Sequence, residues 1–235
     1  MTAMSQFSVL ILTAAPPGLG KDAAGGAFLK IDGRESLLKS AELFLNRDEI
    51  KQILVVVTAD QVEEAKRKYG PHFGFSGIKF VVGGSRWIEQ IAAGKEKIDP
   101  ASTHVIVHDA ARPAVAFSDV DAILAAADSA KVAALSYPLR ATLAETDEGG
   151  SPVTLHTPDR YVQIVTPIAY AKKTYDEMAA SKTDPHASLF TLVKGLPQNV
   201  RVNSPADVPL VSAMIKILPK PKLKAPSSPF DEAQW

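Results

Sequence analysis

The sequence lacks three features that would each point to a particular class of protein. It has no cysteine, so disulfides, thiolate metal sites and a cysteine nucleophile are excluded. Its 26 basic residues balance its 26 acidic residues, so the basic excess typical of a nucleic-acid binder is missing. No apolar run is long enough to span a membrane, and Met1–Ser8 is too short and polar for a signal peptide. We therefore expect a cytoplasmic protein that binds neither nucleic acid nor membrane.

Several catalytic signatures are missing as well. The sequence contains neither a Walker phosphate loop nor a full dinucleotide fingerprint, which argues against a generic dehydrogenase. It has no G-x-S-x-G nucleophile elbow, and its five histidines show no spacing typical of metal ligands. Any chemistry must therefore come from another arrangement of residues.

The first part of the chain alternates short apolar runs with amphipathic segments. This pattern predicts right-handed βαβ units and a mostly parallel sheet with helices on both faces. At 235 residues and 46% hydrophobic content, the chain suits one large α/β domain. The predicted strands are 7–12, 53–58, 78–82, 104–108 and 131–137, and the predicted helices are 36–44, 61–69, 86–98 and 117–130.

The pattern changes after Pro138. A turn-forming stretch at 147–152 predicts a hairpin, and we interpret 140–165 as a β arm that leaves the main sheet. Val200–Val202 is predicted to be a late strand, before a last helix that ends near Leu218. The remainder holds four prolines and three lysines and is predicted to be a flexible tail. The expected organisation is one domain over 1–218 and a tail over 219–235.

Three loops at predicted strand ends are candidate ligand-binding segments: 13–26, 83–86 and 109–113. In open α/β sheets, ligands bind outside the carboxyl ends of the strands. Asp109, directly after a buried strand, either holds Mg²⁺ or caps the following turn, and position alone leaves both readings open. Arg112 suits a phosphate or carboxylate, or is a solvated surface arginine.

The glycines in the first two loops are weaker signals. Gly18-Leu19-Gly20-Lys21 lets backbone N–H groups approach a phosphate, although an ordinary flexible loop fits it better when it is taken alone. Gly83-Gly84 allows a base or ribose to come close, although a simple strand-to-helix turn fits it better when it is taken alone.

In combination, these segments resemble the 2-C-methyl-D-erythritol 4-phosphate cytidylyltransferases of the non-mevalonate isoprenoid pathway. The order and spacing match over most of residues 7–215, and H-D-A-A-R-P is the most specific stretch. The resemblance implies a Rossmann-like nucleotidyltransferase fold with a protruding β arm that builds a homodimer. The matching segments are Leu10–Ala15, Gly83-Gly84, Val107–Pro113, Thr166-Pro167 and Asn199–Val202.

The resemblance also implies transfer of CMP from CTP to a sugar-alcohol phosphate, with release of pyrophosphate and use of Mg²⁺ at Asp109. Carried over residue by residue, it assigns the nucleotide to Ala14, Ala15, Gly18, Gly20, Gly84 and Gln90. It assigns the acceptor to Arg112, Thr142, Thr166 and Thr183, in part from the partner subunit's arm. The expected catalytic cations are Lys21, Arg160, which also contacts the acceptor, and Arg201, at the position of a family lysine near the triphosphate.

The first loop departs from the family pattern. Pro16-Pro17 interrupts its start, and Gly25–Ala27 stands where the family has P-K-Q. The lysine of the family's P-K-Q stretch, its phosphate-loop lysine, stabilises charge that builds up on the phosphates, and this chain lacks it. Losing such a group typically costs about 3 kcal/mol of transition-state stabilisation. In addition, Gln90 replaces a serine that contacts the ribose or base. Two functions stay open: a divergent nucleotidyltransferase, and a catalytically impaired relative that binds nucleotide or regulates.

Overall fold

The computed structural model describes residues 5–19 and 21–219. The strands are β1 (Phe7–Leu12), β2 (Lys30–Ile31), β3 (Arg34–Glu35), β4 (Ile50–Thr58), β5 (Lys79–Gly83), β6 (His104–Asp109), β7 (Val132–Pro138), β8 (Leu143–Thr146), β9 (Pro152–His156), β10 (Val162–Ala171) and β11 (Phe190–Lys194). The helices are α1 (Ser36–Glu42), α2 (Val62–Phe75), α3 (Trp87–Gly94), α4 (Phe117–Ala127), α5 (Lys172–Ser181) and α6 (Val208–Lys216). Short 3₁₀ helices lie at Lys21–Phe28, Lys95–Lys97, Pro158–Arg160, Ala187–Leu189 and Pro205–Asp207.

The centre of the fold is a seven-stranded sheet in the order β11-β7-β10-β6-β1-β4-β5. β1, β4, β5 and β6 are parallel, β11 is parallel to β7, and β10 runs antiparallel to both of its neighbours. Leu12 pairs with both Val56 and Asp109, so β1, β4 and β6 end at the same edge of the sheet. The predicted mostly parallel sheet is confirmed, and its carboxyl edge gathers the three candidate loops.

The central strands of the sheet are buried on both faces, since alternate side chains of a strand point to opposite sides and helices cover each side. In β1, Val9 and Ile11 join the apolar cluster that includes α1, α2 and α4. Leu10 and Leu12 join the opposite cluster, which includes α3 and α5. Each such aliphatic side chain contributes about 1.5–3 kcal/mol by its burial, which holds the strand ends of the candidate site in a rigid frame.

The predicted hairpin is present, but the arm is shorter than 140–165. β8 and β9 form a two-stranded antiparallel pair outside the main sheet, closed by a turn in which the Asp147 carboxylate accepts bonds from the Gly149 and Ser151 amides. Val162 to Val165 instead pair with β7 in the main sheet. The prediction missed this because the sequence pattern does not show which strand a segment pairs with.

One prediction for the last third of the chain needs correction, and one strand there was missed. Val200–Val202 is not a strand, although the Val202 amide donates to the Ala111 carbonyl oxygen at 2.9 Å. The edge strand β11 was not predicted, and its half-exposed mixture of residues explains why no buried run marked it. The proposed tail over 219–235 lies, apart from Pro219, outside the described residues.

Within the residues that the structure describes, no helix is both long and apolar enough to cross a membrane.

Candidate active site

The candidate site lies at the carboxyl edge of β1 and β6. Asp109 ends β6 beside Leu12, and its backbone amide donates to the Thr166 hydroxyl at 3.1 Å. Thr166 is itself buried in β10, the strand next to β6 in the sheet. Three strands therefore fix the backbone of Asp109 before any ligand is considered.

Both oxygens of the Asp109 carboxylate are engaged. Oδ1 accepts from the Ala111 amide at 2.9 Å, which is the turn-capping interaction that position alone suggested. Oδ2 accepts from Nε of Arg201 at 2.7 Å, and the side chains of Asp109 and Arg201 are only 1% and 3% exposed. Nε of Arg112 lies 3.8 Å from the same Oδ2. Asp109 therefore faces two guanidinium groups, one of them in a buried, hydrogen-bonded ion pair.

Arg201 connects three segments of the chain. Besides Asp109, its Nη1 donates to the Ala23 carbonyl oxygen and to Oδ1 of Asn203, both at 2.8 Å. The planar fork of arginine suits such a set of diverging bonds better than a lysine ammonium does. Its Nη2 is buried and has no hydrogen-bond partner among the described residues. Arg201 thus holds the 3₁₀ helix at Lys21–Phe28 against the end of β6.

Arg112 and Asn199 form a second layer beside this pair. Nη1 of Arg112 donates to the Asn199 carbonyl oxygen at 2.8 Å, and the Asn199 side-chain amide donates to the Thr166 carbonyl oxygen at 2.8 Å. Asn199 is buried, and its place in the N-V-R-V stretch did not by itself indicate a role. These bonds place the Arg112 guanidinium at the site and leave it partly exposed.

Gln90, from α3, fills the space between the first loop and the glycine pair. Its Oε1 accepts from the amides of Thr13 at 2.9 Å and Ala14 at 3.0 Å, and its Nε2 donates to the Gly84 carbonyl oxygen at 3.2 Å. The residue is fully buried. Two residues that the family resemblance assigns to the nucleotide, Ala14 and Gly84, are therefore already hydrogen-bonded through their backbone to a side chain of this protein.

Gly26 lies against the backbone that leads to Arg201. A Cβ added at Gly26 would stand 1.9 Å from the Val202 carbonyl oxygen and 3.1 Å from the Ala111 Cβ. Real Cβ atoms do not approach backbone oxygen so closely, so no side chain fits there unless the loop moves. The first loop is packed down onto the site at this position.

His108, in β6, packs directly against the segment that carries Asp109 and Arg112. It is fully buried against Phe44, its Nε2 lies 3.2 Å from the Arg112 carbonyl oxygen, and burial lowers its pKa to about 3, with the nearby Arg112 charge adding to the effect. The ring is therefore neutral at physiological pH.

Comparison with known proteins identifies the family. The family model for 2-C-methyl-D-erythritol 4-phosphate cytidylyltransferase matches residues 9–216. The chain belongs to this family. A Vibrio atlanticus protein of that name is 29% identical over 202 residues, covering 78% of this chain and 84% of the relative. One from Shewanella piezotolerans is 25% identical over 233 residues, covering 92% and 99%.

Solved structures agree on the fold. The 4-diphosphocytidyl-2C-methyl-D-erythritol synthase of Anaerococcus prevotii aligns with a TM-score of 0.72 at 20% identity, over 90% of this chain and 96% of that one. The Thermus thermophilus 2-C-methyl-D-erythritol 4-phosphate cytidylyltransferase aligns with a TM-score of 0.69 at 23% identity, over 88% and 98%. These structural similarities show the fold alone, and the chemistry depends on the residues at this site.

The fold of this cytidylyltransferase-family chain brings together about half of the expected site. Asp109, Arg112, Thr166 and Arg201 meet at one point, and Ala14, Gly84 and Gln90 are hydrogen-bonded to one another in a second group along the same edge of the sheet. Thr142, Arg160 and Thr183 are exposed, and among the described residues none of them bonds to that cluster. Ala15 and Gly18 lie in the first loop, where Gly18 has a positive φ of 83°. Gly20 and the Lys21 side chain lie outside the described residues.

The residues present do not fit a resident Mg²⁺. Magnesium is usually held by one or two carboxylates together with substrate phosphates. Here Oδ2 of the Asp109 carboxylate already pairs with Arg201, and the guanidinium of Arg112 places a second positive charge beside the same oxygen. A cation at Asp109 must first displace a buried guanidinium.

Proposed function

We propose that this chain transfers CMP from CTP to 2-C-methyl-D-erythritol 4-phosphate and releases pyrophosphate. Family membership over residues 9–216 supports the proposal. The observation that carries it is the pair of arginines, Arg112 and Arg201, beside Asp109 at the carboxyl edge of the sheet. Phosphoryl chemistry of this kind depends on positioning and on neutralising charge, and guanidinium groups at a rigid edge provide both.

In this reaction a phosphate oxygen of the acceptor attacks the α-phosphorus of CTP. The new P–O bond forms as the bond from the α-phosphorus to the bridging oxygen breaks, and the electron pair leaves with pyrophosphate. Arg112, partly exposed and fixed by Asn199, suits the acceptor's phosphate. Arg201 suits the triphosphate, once it exchanges its bond to Ala23 for a phosphate oxygen.

The hairpin of β8 and β9 supports a homodimer as part of this proposal. Among the described strands, β8 and β9 pair only with each other. Val153 and Leu155, both on β9, are 59% and 69% exposed. Exposed apolar side chains on a projecting hairpin are typical of a contact surface. Light scattering on the purified chain should give twice the monomer mass, and Leu155→Asp should give the monomer. A wild-type monomer would refute this part of the proposal.

A second function is favoured by one specific observation. Gly26 occupies the place of the family's phosphate-loop lysine, and its surroundings exclude any side chain. A chain without that cation can bind a nucleotide and yet turn it over poorly. The alternative is therefore a relative that binds nucleotide without catalysis.

Pyrophosphate release separates the two functions. The chain is mixed with CTP, Mg²⁺ and 2-C-methyl-D-erythritol 4-phosphate, and then with each of the other nucleoside triphosphates. We expect release with CTP, reduced about a hundredfold by Arg112→Met and unchanged by Arg67→Met, a matched loss of charge on the exposed face of α2. Calorimetric binding of a nucleotide with no release from any of the four would favour the non-catalytic relative.

A further inference from the structure

The buried ion pair of Asp109 and Arg201 has an unused hydrogen-bond donor. Nη2 of Arg201 is buried with no partner among the residues described, although the other two nitrogens bond to Asp109, Ala23 and Asn203. A buried guanidinium donor without an acceptor is costly. A ligand oxygen is the kind of group that would satisfy it.

The local charge selects an anion. Arg201 and Arg112 both face Asp109, so the three side chains carry one net positive charge in a nearly dry setting. Electrostatic attraction is stronger there than in water. Phosphate oxygens match the forked geometry of guanidinium groups.

The same arrangement disfavours a divalent cation. Such an ion binds to carboxylate oxygens, and both oxygens of Asp109 already accept a hydrogen bond, Oδ1 from the Ala111 amide and Oδ2 from Arg201, with which a metal has to compete. The two neighbouring guanidinium charges also repel a cation. The guanidinium of Arg201 therefore stands where a metal would otherwise neutralise the carboxylate.

The first loop has to release Arg201 before a phosphate can reach it. Its contact with the site is the bond from Nη1 to the Ala23 carbonyl oxygen, together with the close packing of Gly26 on Val202. A phosphate oxygen is a better acceptor for a guanidinium than a neutral carbonyl, because the bond is between opposite charges.

We propose that Arg201 is the resident cation of this site, and that a polyphosphate, such as the triphosphate of a nucleotide, binds beside it without a divalent metal. The inference rests on the proposed function for the location of the triphosphate. It goes beyond that function because it assigns the neutralisation of the triphosphate's negative charge to the Arg201 side chain and not to a divalent metal.

The test measures binding of inorganic tripolyphosphate and of CTP to the whole chain by calorimetry, once in EDTA and once in excess Mg²⁺. For the wild type we expect affinities that agree within about threefold between the two conditions, since no metal bridge is lost. Arg201→Gln frees the Asp109 carboxylate, which then repels the phosphates. Its affinity should fall about tenfold or more in EDTA and recover in Mg²⁺.

Two further variants keep this result interpretable. The double variant Asp109→Asn with Arg201→Gln has no carboxylate to hold a metal, so Mg²⁺ should not restore its binding. Lys173→Gln removes one positive charge from the exposed face of α5 and should bind like the wild type. Circular dichroism on each variant checks that the fold is retained, and Arg201→Lys replaces Arg201→Gln if the latter does not fold. Because a lysine keeps the positive charge, Arg201→Lys should retain binding in EDTA.

Each outcome bears on the inference separately from the proposed function. Wild-type binding that disappears in EDTA and returns with Mg²⁺ overturns the inference, even if pyrophosphate is released. Failure to bind tripolyphosphate or CTP in both conditions also overturns it. Binding in EDTA without pyrophosphate release from any nucleotide supports the inference and refutes the proposed transfer.

Discussion

Replacing Gln90 by serine, the residue type that the family resemblance assigns to this position, tests how the base side of the site is built. In the wild type the side chain bonds to the amides of Thr13 and Ala14 and to the Gly84 carbonyl oxygen. Thr13 keeps a second acceptor, the Val56 carbonyl oxygen at 3.3 Å. Ala14 has no other acceptor among the described residues, so a shorter side chain leaves its buried amide unpaired.

The expected cost follows from these contacts. One orphaned amide costs about 1–3 kcal/mol, and the cavity left by the shorter side chain adds to this. We expect Gln90→Ser to lower the free energy of unfolding by about 2–4 kcal/mol and Tm by about 5–15 °C. Urea unfolding followed by circular dichroism measures the change. Gln163→Ser, at an exposed strand position, is the matched control and should stay within about 0.5 kcal/mol of wild type.

The same substitution should improve nucleotide binding. The freed Ala14 amide and the freed Gly84 carbonyl oxygen match one acceptor and the amino group on the pairing edge of cytosine. Calorimetry with CTP should show tighter binding to Gln90→Ser than to wild type. A variant as stable as wild type, with no gain in CTP affinity, would refute the view that Gln90 fills the base pocket.

Three further predictions concern the buried groups around β6. Asp109→Asn leaves a buried guanidinium without its counter-charge and should lower the free energy of unfolding in urea by about 3–5 kcal/mol. The control Asp176→Asn, in a more exposed pair, should lower it by less than about 1 kcal/mol. Equal losses would contradict a buried pair. Gly26→Ala should destabilise the chain by about 1–3 kcal/mol through overpacking, and a protease should cut the first loop faster than in the wild type. Unchanged stability would show that the first loop does not pack closely on the site. The pKa of His108 is lowered to about 3 when folded, below its ordinary value of 6.5, so the unfolded chain binds more protons between these values and stability should fall as the pH drops from about 6.5. His108→Gln should flatten this pH dependence of unfolding, and exposed His186→Gln should not; a slope unchanged by His108→Gln would contradict the assignment.

The sequence by itself determined the frame and one half of the site. The apolar runs that became β1, β4, β6 and β7 are local signals, since a strand buried on both faces must be continuously apolar. H-D-A-A-R-P marked Asp109 and Arg112 because a strand end followed by a charged turn can be read within a few residues. Proline and glycine residues marked the hairpin in the same local way.

Only the tertiary structure decided which groups face one another. Arg201 meets Asp109 across 92 residues, and Gln90 meets Thr13 across 77. Such contacts depend on strand order and on the path of the returning chain, and periodicity carries no information about either. The same reason explains why Val200–Val202 was mistaken for a strand, although its apolar residues are held beside Ala111 by a single backbone bond. The sequence placed a carboxylate and an arginine at the sheet edge, and the long-range packing turned that carboxylate into the partner of a second, buried arginine.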